Sequence, residues 1–200
     1  MNKYIFHITT FYLVFLALYS TQLYAQGYNV GDVVHDFTLK DTKGNTVTLR
    51  NYKEAKGFII VFMSNHCPFA KKYESRLLAL HQEFAAKGYI ILAINSNDAN
   101  KQPEDSYEKM QEKNYPFPYL YDETQEVAQQ FGAKKTPQVF LLQKKGTKIE
   151  VVYTGAIDDR YDDENAVTEK YLVDAIIQLS QNQPIRINTS NVVGCGIKWK

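Results

Sequence analysis

Thiol chemistry in this chain can run through two side chains only, because Cys67 and Cys195 are its sole cysteines. Cys67 stands in Ser64-Asn65-His66-Cys67-Pro68-Phe69-Ala70, directly after the continuous apolar run Phe58-Ile59-Ile60-Val61-Phe62-Met63. Pro68 suits the first position of a helix. Beyond it Phe69, Tyr73, Leu77, Leu80 and Phe84 recur at helical spacing as far as Lys87, where Gly88 makes a stop. A thiol at such a strand-to-helix corner meets unpaired amides and the positive end of the helix dipole, both of which favour thiolate over thiol. Placements of this kind lower a cysteine from about 8.5 to roughly 3.5–7.5. A protonated His66 next door would add to the effect. The competing reading, a small buried core residue, suits the middle of a helix better than a proline-capped corner.

Cys195 lies in Gly194-Cys195-Gly196, near the end of a tail with no clear period. It reads equally well as a resolving thiol, attacking an oxidised Cys67 to form a disulfide, and as a structural or unpaired cysteine. Ala70 holds the position three after Cys67 and Ser64 the position three before, so no local dithiol exists. No metal site is expected: cysteine ligation lacks a second cysteine at ligand spacing, and copper handling by Cys67 with His66 would need one. The acidic run Asp158 to Glu164 lacks the alternating ligands and central glycine of a calcium loop, and is expected to be a solvated surface loop. The aromatics between Tyr115 and Tyr121 read as core or cleft wall, and no cofactor is called for.

The elements that must position Cys67 follow from periodicity. Phe37-Thr38-Leu39 and Val47-Thr48-Leu49 flank the turn Asp41 to Asn45, which predicts a β-hairpin. The apolar run before Cys67 and Tyr89-Ile90-Ile91-Leu92-Ala93-Ile94 predict two strands buried on both faces. With the helix between them they form a βαβ unit, strands parallel. A polar loop from Asn95, a solvated helix over Glu104 to Lys113, a short strand at Pro118–Tyr121 and a helix from Thr124 to Phe131 closed by Gly132 come next. Val139 to Leu142 and Ile149 to Tyr153 around Gly146 predict a second hairpin, and Val167 to Leu179 an amphipathic helix. The expectation is one α/β domain over residues 26–183, a central mixed β-sheet flanked by helices with an N-terminal β-hairpin extension, and a tail over 184–200.

Met1-Asn2-Lys3 precedes the uncharged apolar stretch Phe11 to Tyr19, polar residues, and Leu23-Tyr24-Ala25. This is the order of a secretory signal peptide over residues 1–25. Its apolar run is short of the roughly 20 residues a spanning helix needs, so the mature chain is expected to be cleaved free of the membrane. Export to a periplasmic or secreted location follows. The net charge of +1 comes without a basic patch, which leaves nucleic acid no footprint.

Asp36-Phe37-Thr38-Leu39, the buried strand running into Cys67-Pro68, and Gly132-Ala133-Lys134-Lys135-Thr136-Pro137 before a strand resemble the redoxin branch of the thioredoxin-like superfamily. That branch holds the peroxiredoxins (alkyl hydroperoxide reductase and thiol-specific antioxidant proteins). Asn65-His66-Cys67-Pro68-Phe69, with Ile197-Lys198-Trp199-Lys200 at the end, is most similar to a bacterial peroxiredoxin-like subgroup. The resemblance implies a thioredoxin-like fold in which Pro137 is cis, follows Thr136, and sits against Cys67, leaving the preceding backbone to pair with an incoming peptide or thiol. It implies that the Ser64 hydroxyl helps orient a peroxide. Two peroxiredoxin features are absent: the proline seven before the cysteine is Ile60, and the polarising arginine has only Lys135 as a partial stand-in. The implied activity is reduction of peroxides or disulfides by nucleophilic Cys67, renewed by Cys195 or an external thiol. The alternative is a catalytically silent binding or assembly protein on the same fold.

Overall fold

A computed structural model describes residues 27–200, so the expected leader lies outside the described residues. Strands β1 (Leu39–Asp41), β2 (Thr46–Val47), β3 (Gly57–Met63), β4 (Tyr89–Asn95), β5 (Tyr119–Tyr121), β7 (Gln138–Lys145) and β8 (Lys148–Gly155) form one sheet in the order β2-β1-β5-β4-β3-β7-β8. β3, β4 and β5 run parallel, whereas β7 and β8 at one side and β1 and β2 at the other are antiparallel. This is the mixed sheet expected, in the thioredoxin-like arrangement. A second, two-stranded ladder pairs β6 (Lys135–Thr136) with β9 (Cys195–Gly196).

All seven residues of β3 are buried, and their alternation loads both faces of the sheet. Ile59, Val61 and Met63 join one core with Leu77, Leu80 and Phe84 of helix α2 (Glu74–Phe84) and Leu172 and Ile176 of helix α5 (Tyr171–Ser180). Phe58, Ile60 and Phe62 join the other with Val127 and Phe131 of helix α4 (Glu126–Phe131). Each such fully buried side chain contributes on the order of 1.5–3 kcal/mol. Gly132 ends α4 in the left-handed region at φ 67°, where a glycine carries no Cβ penalty. Among the described residues no helix is long and apolar enough to cross a membrane.

Three expectations need correction. The helix after Cys67 is two helices, α1 (Pro68–Lys72) and α2, joined at Tyr73. The Tyr73 amide donates to Ala70 three residues back, and its hydroxyl is held by Asp158 at 2.9 Å, so the turn tightens there. The solvated helix over Glu104 to Lys113 is a 3₁₀ turn followed by helix α3 (Tyr107–Gln111), which restarts at the N-cap Ser106. The break falls at Ser106, whose backbone is extended, directly after the fully buried Asp105. The acidic run after Ile157 is not uniformly solvated: Asp158 is buried, and both its oxygens accept from Arg76 Nη1, at 2.9 and 2.7 Å.

Candidate active site

Cys67 is the N-cap residue of α1, with Pro68 at the first helical position. It lies four residues beyond the end of β3 and is 0% exposed. Its thiol donates to the Thr136 carbonyl oxygen at 3.0 Å. The Thr136–Pro137 peptide is cis, as the resemblance implied. The backbone before the proline is not left open, however. Thr136 faces Cys195 across the β6–β9 ladder, so the chain's own tail occupies that edge and brings the second sulfur to the first.

Gly194 permits this approach. A Cβ at this position would overlap the Thr136 carbonyl oxygen. The tail is fastened on both sides of the cysteine: Ser190 Oγ accepts from the Ala156 amide at 2.9 Å, and Asn97 Oδ1 accepts from the Lys198 amide at 2.8 Å. Ile197 is buried in the core on the α4 side of the sheet. The Lys135 ammonium donates to Val192 O at 2.9 Å, so it holds the tail and does not stand in for a polarising arginine.

Burial pushes the Cys67 thiol up, but hydrogen bonds from the Cys195 thiol, the Ala70 amide, Thr136 and the Cys195 amide outweigh it, and the group lies below the ordinary thiol value. Thr136 Oγ1 is buried and has no hydrogen-bond partner while Cys67 carries its proton. A thiolate at Cys67 would give that hydroxyl an acceptor. Burial and the Cys67 sulfur push Cys195 the other way, up to about 11. The pair is therefore unequal, with the negative charge favoured on Cys67.

Ser64 is placed differently from the expectation. Its hydroxyl accepts from the Cys67 amide at 3.1 Å and donates to Asp105 Oδ2 at 2.8 Å. It fixes the backbone of the corner, and its proton points to a carboxylate, not to the sulfur. His66 is exposed beside the corner. A cavity of about 420 Å³ opens next to Pro137, walled by Tyr73, Tyr161, Tyr171, Ile187 and Val193. Among the described residues no cluster of three His, Cys, Asp or Glu is placed to hold a metal ion.

Sequence reasoning missed Asp105 and its partners. Asn65 N, Asn95 Nδ2 and Asn97 Nδ2 reach it at 2.5, 2.9 and 2.7 Å, in addition to Ser64. The available signal was Asn95-Ser96-Asn97-Asp98, a run of short polar side chains at the end of a strand that is otherwise apolar.

The fold is shared with a solved but uncharacterized conserved protein from Geobacillus kaustophilus. It is 38% identical, with a TM-score of 0.79, over 88% of this chain and 94% of that one. The thiol-disulfide oxidoreductase ResA of Halalkalibacterium halodurans is 26% identical over 65% of this chain and 71% of its own. A probable phospholipid hydroperoxide glutathione peroxidase of Mesembryanthemum crystallinum is 34% identical over a shorter stretch, 39% of this chain and 46% of its own. The AhpC/TSA family matches residues 30–151, a span that contains the Cys67 corner and the cis-proline but stops well before Cys195. On that match, which takes in more than half of its length, the chain belongs to the AhpC/TSA family.

Proposed function

We propose that this protein is an exported thiol oxidoreductase, periplasmic or secreted, that reduces peroxides or disulfides with Cys67 as the one cysteine that attacks the substrate and Cys195 as the resolving thiol. The observation that carries the reading is the unequal pair: a thiol lowered by its hydrogen bonds, with a second, raised thiol brought to it by the β6–β9 ladder. The names of the relatives, a thiol-disulfide oxidoreductase and a probable peroxidase, agree with this reaction class.

With a peroxide, the Cys67 thiolate attacks one oxygen and the O–O bond breaks. The departing alkoxide or hydroxide takes a proton, and Cys67 is left as a sulfenic acid. Cys195, losing its proton, attacks the Cys67 sulfur; water leaves and a Cys67–Cys195 disulfide forms. With a disulfide substrate, Cys67 forms a mixed disulfide and expels one substrate thiol, and Cys195 then releases the other. In both cases an external thiol reductant supplies two electrons to restore the pair. Because Cys67 is 0% exposed, even a small peroxide reaches it only when the packing over it opens, and movement of the tail paired beside it at β6 would supply that opening.

Steady-state turnover of hydrogen peroxide, an alkyl hydroperoxide and a disulfide peptide, with dithiothreitol as reductant, tests the proposal. Turnover of at least one class, lost in Cys67→Ser, is the expected result. Absence of turnover with all three returns the protein to the reading of a binding protein on this fold.

A further inference from the structure

Asp105 is a fully buried carboxylate that bonds the Cys67 segment directly and reaches the C-terminal tail through Asn97. It is 0% exposed, and each of its oxygens accepts two hydrogen bonds: Oδ1 from the Asn65 amide and Asn95, Oδ2 from Ser64 and Asn97. From Oδ2 one path leads through the Ser64 hydroxyl to the Cys67 amide. The other leads through the Asn97 side chain to the Lys198 amide, three residues beyond Cys195. No cation is among these partners.

We propose that Asp105 is a positioning residue that sets the separation of the two cysteines, by clamping the Cys67 corner and the C-terminal tail to the same carboxylate. The inference rests on the cysteine-pair chemistry proposed above.

A buried carboxylate surrounded by four donors is costly to disturb, since loss of one acceptor leaves donors unpaired in the interior. The two arms therefore act as one unit: when either is cut, the other no longer fixes the distance between the sulfurs. A local polar network on a single loop would not have this property. Here the arms enter from the segment after β3, from the segment after β4 and from the tail, far apart in sequence. The Asp105 charge also helps to hold the Cys195 thiol up.

The test is a cycle of Ser64→Ala, Asn97→Ala and the double variant in the full chain. The equilibrium between the Cys67–Cys195 disulfide and glutathione is measured for each, a readout that needs no peroxide or disulfide turnover. Each single variant is expected to lower the effective concentration of Cys195 toward Cys67 by about tenfold, the scale of one buried hydrogen bond. The double variant is expected to lose no more than a single one. Losses that multiply, or singles that leave the equilibrium unchanged, would overturn the proposal. Amide exchange in the reduced protein gives a readout independent of disulfide formation. Ser64→Ala is expected to speed exchange at Lys198, and Asn97→Ala at Cys67; if each variant speeds only its own site, the clamp is absent.

Discussion

Thr136 and Cys195 face each other across the β6–β9 ladder, and the carbonyl oxygen of Thr136 accepts a hydrogen bond from the Cys67 thiol. One residue thus organises both sulfurs: its backbone registers the tail and its carbonyl holds the buried thiol. The Thr136 hydroxyl, buried without a partner, would gain an acceptor if that thiol ionised.

The division of labour between the cysteines predicts different products from the two serine variants. After peroxide, Cys195→Ser is expected to accumulate sulfenic acid at Cys67 and to stop after one turnover without an external thiol. Cys67→Ser is expected to consume no peroxide above background. Intact mass and a sulfenic-acid probe distinguish these states.

The pH dependence follows from the opposite shifts. A lowered thiol value enlarges the thiolate fraction at neutral pH, and a raised one shrinks it. Oxidation of Cys67 in the parent, where the Cys195 contact that lowers the thiol is intact, is therefore expected to climb with pH and level off below about 8.5, the ordinary thiol value. Disulfide formation by Cys195 is expected to keep climbing beyond that point. Stopped-flow traces of the two steps across pH check both limbs, and the reverse order would contradict the assignment of roles.

Gly194 makes the tail's approach possible, so Gly194→Ala is expected to lift β9 from β6. Overpacking at a close contact costs about 1–3 kcal/mol. The visible consequence should be faster labelling of Cys67 by a small alkylating reagent, measured by mass in a Cys195→Ser background. Labelling as slow as in the parent would mean that something other than the tail shields the thiol.

Arg76 and Asp158 are a stability element beside the cavity, with side chains 8% and 6% exposed. Removing one partner of a buried pair leaves a charge uncompensated and costs roughly 3–5 kcal/mol. Urea denaturation of Arg76→Met should show a loss of that size, reduced when Asp158→Asn is added.

The Cys67 corner was legible in sequence because a buried strand, a proline and a helical period meet there within a dozen residues. Thr136-Pro137 was legible only through the family resemblance, since the dipeptide alone marks many loops. The place of Cys195 was not legible: two residues of β9 and a few tail amides fix it, and neither leaves a periodic trace. Asp105 was hidden for a related reason. Between Glu104 and Ser106 it reads as one more charge on a solvated helix, and only the fold brings Ser64, Asn65, Asn95 and Asn97 around it. The Arg76–Asp158 pair, from segments joined only in space, was likewise beyond a pattern of neighbours.

The central claim is that Cys67 and Cys195 work as a nucleophile and its resolving partner. The reduced full chain, mixed with an equimolar amount of hydrogen peroxide or of a disulfide peptide and quenched by acid, can be read by intact mass and non-reducing peptide mapping. The account predicts loss of two hydrogens and a crosslinked peptide joining Cys67 to Cys195. Two free thiols after complete mixing with either oxidant, in a protein that remains folded, would contradict it.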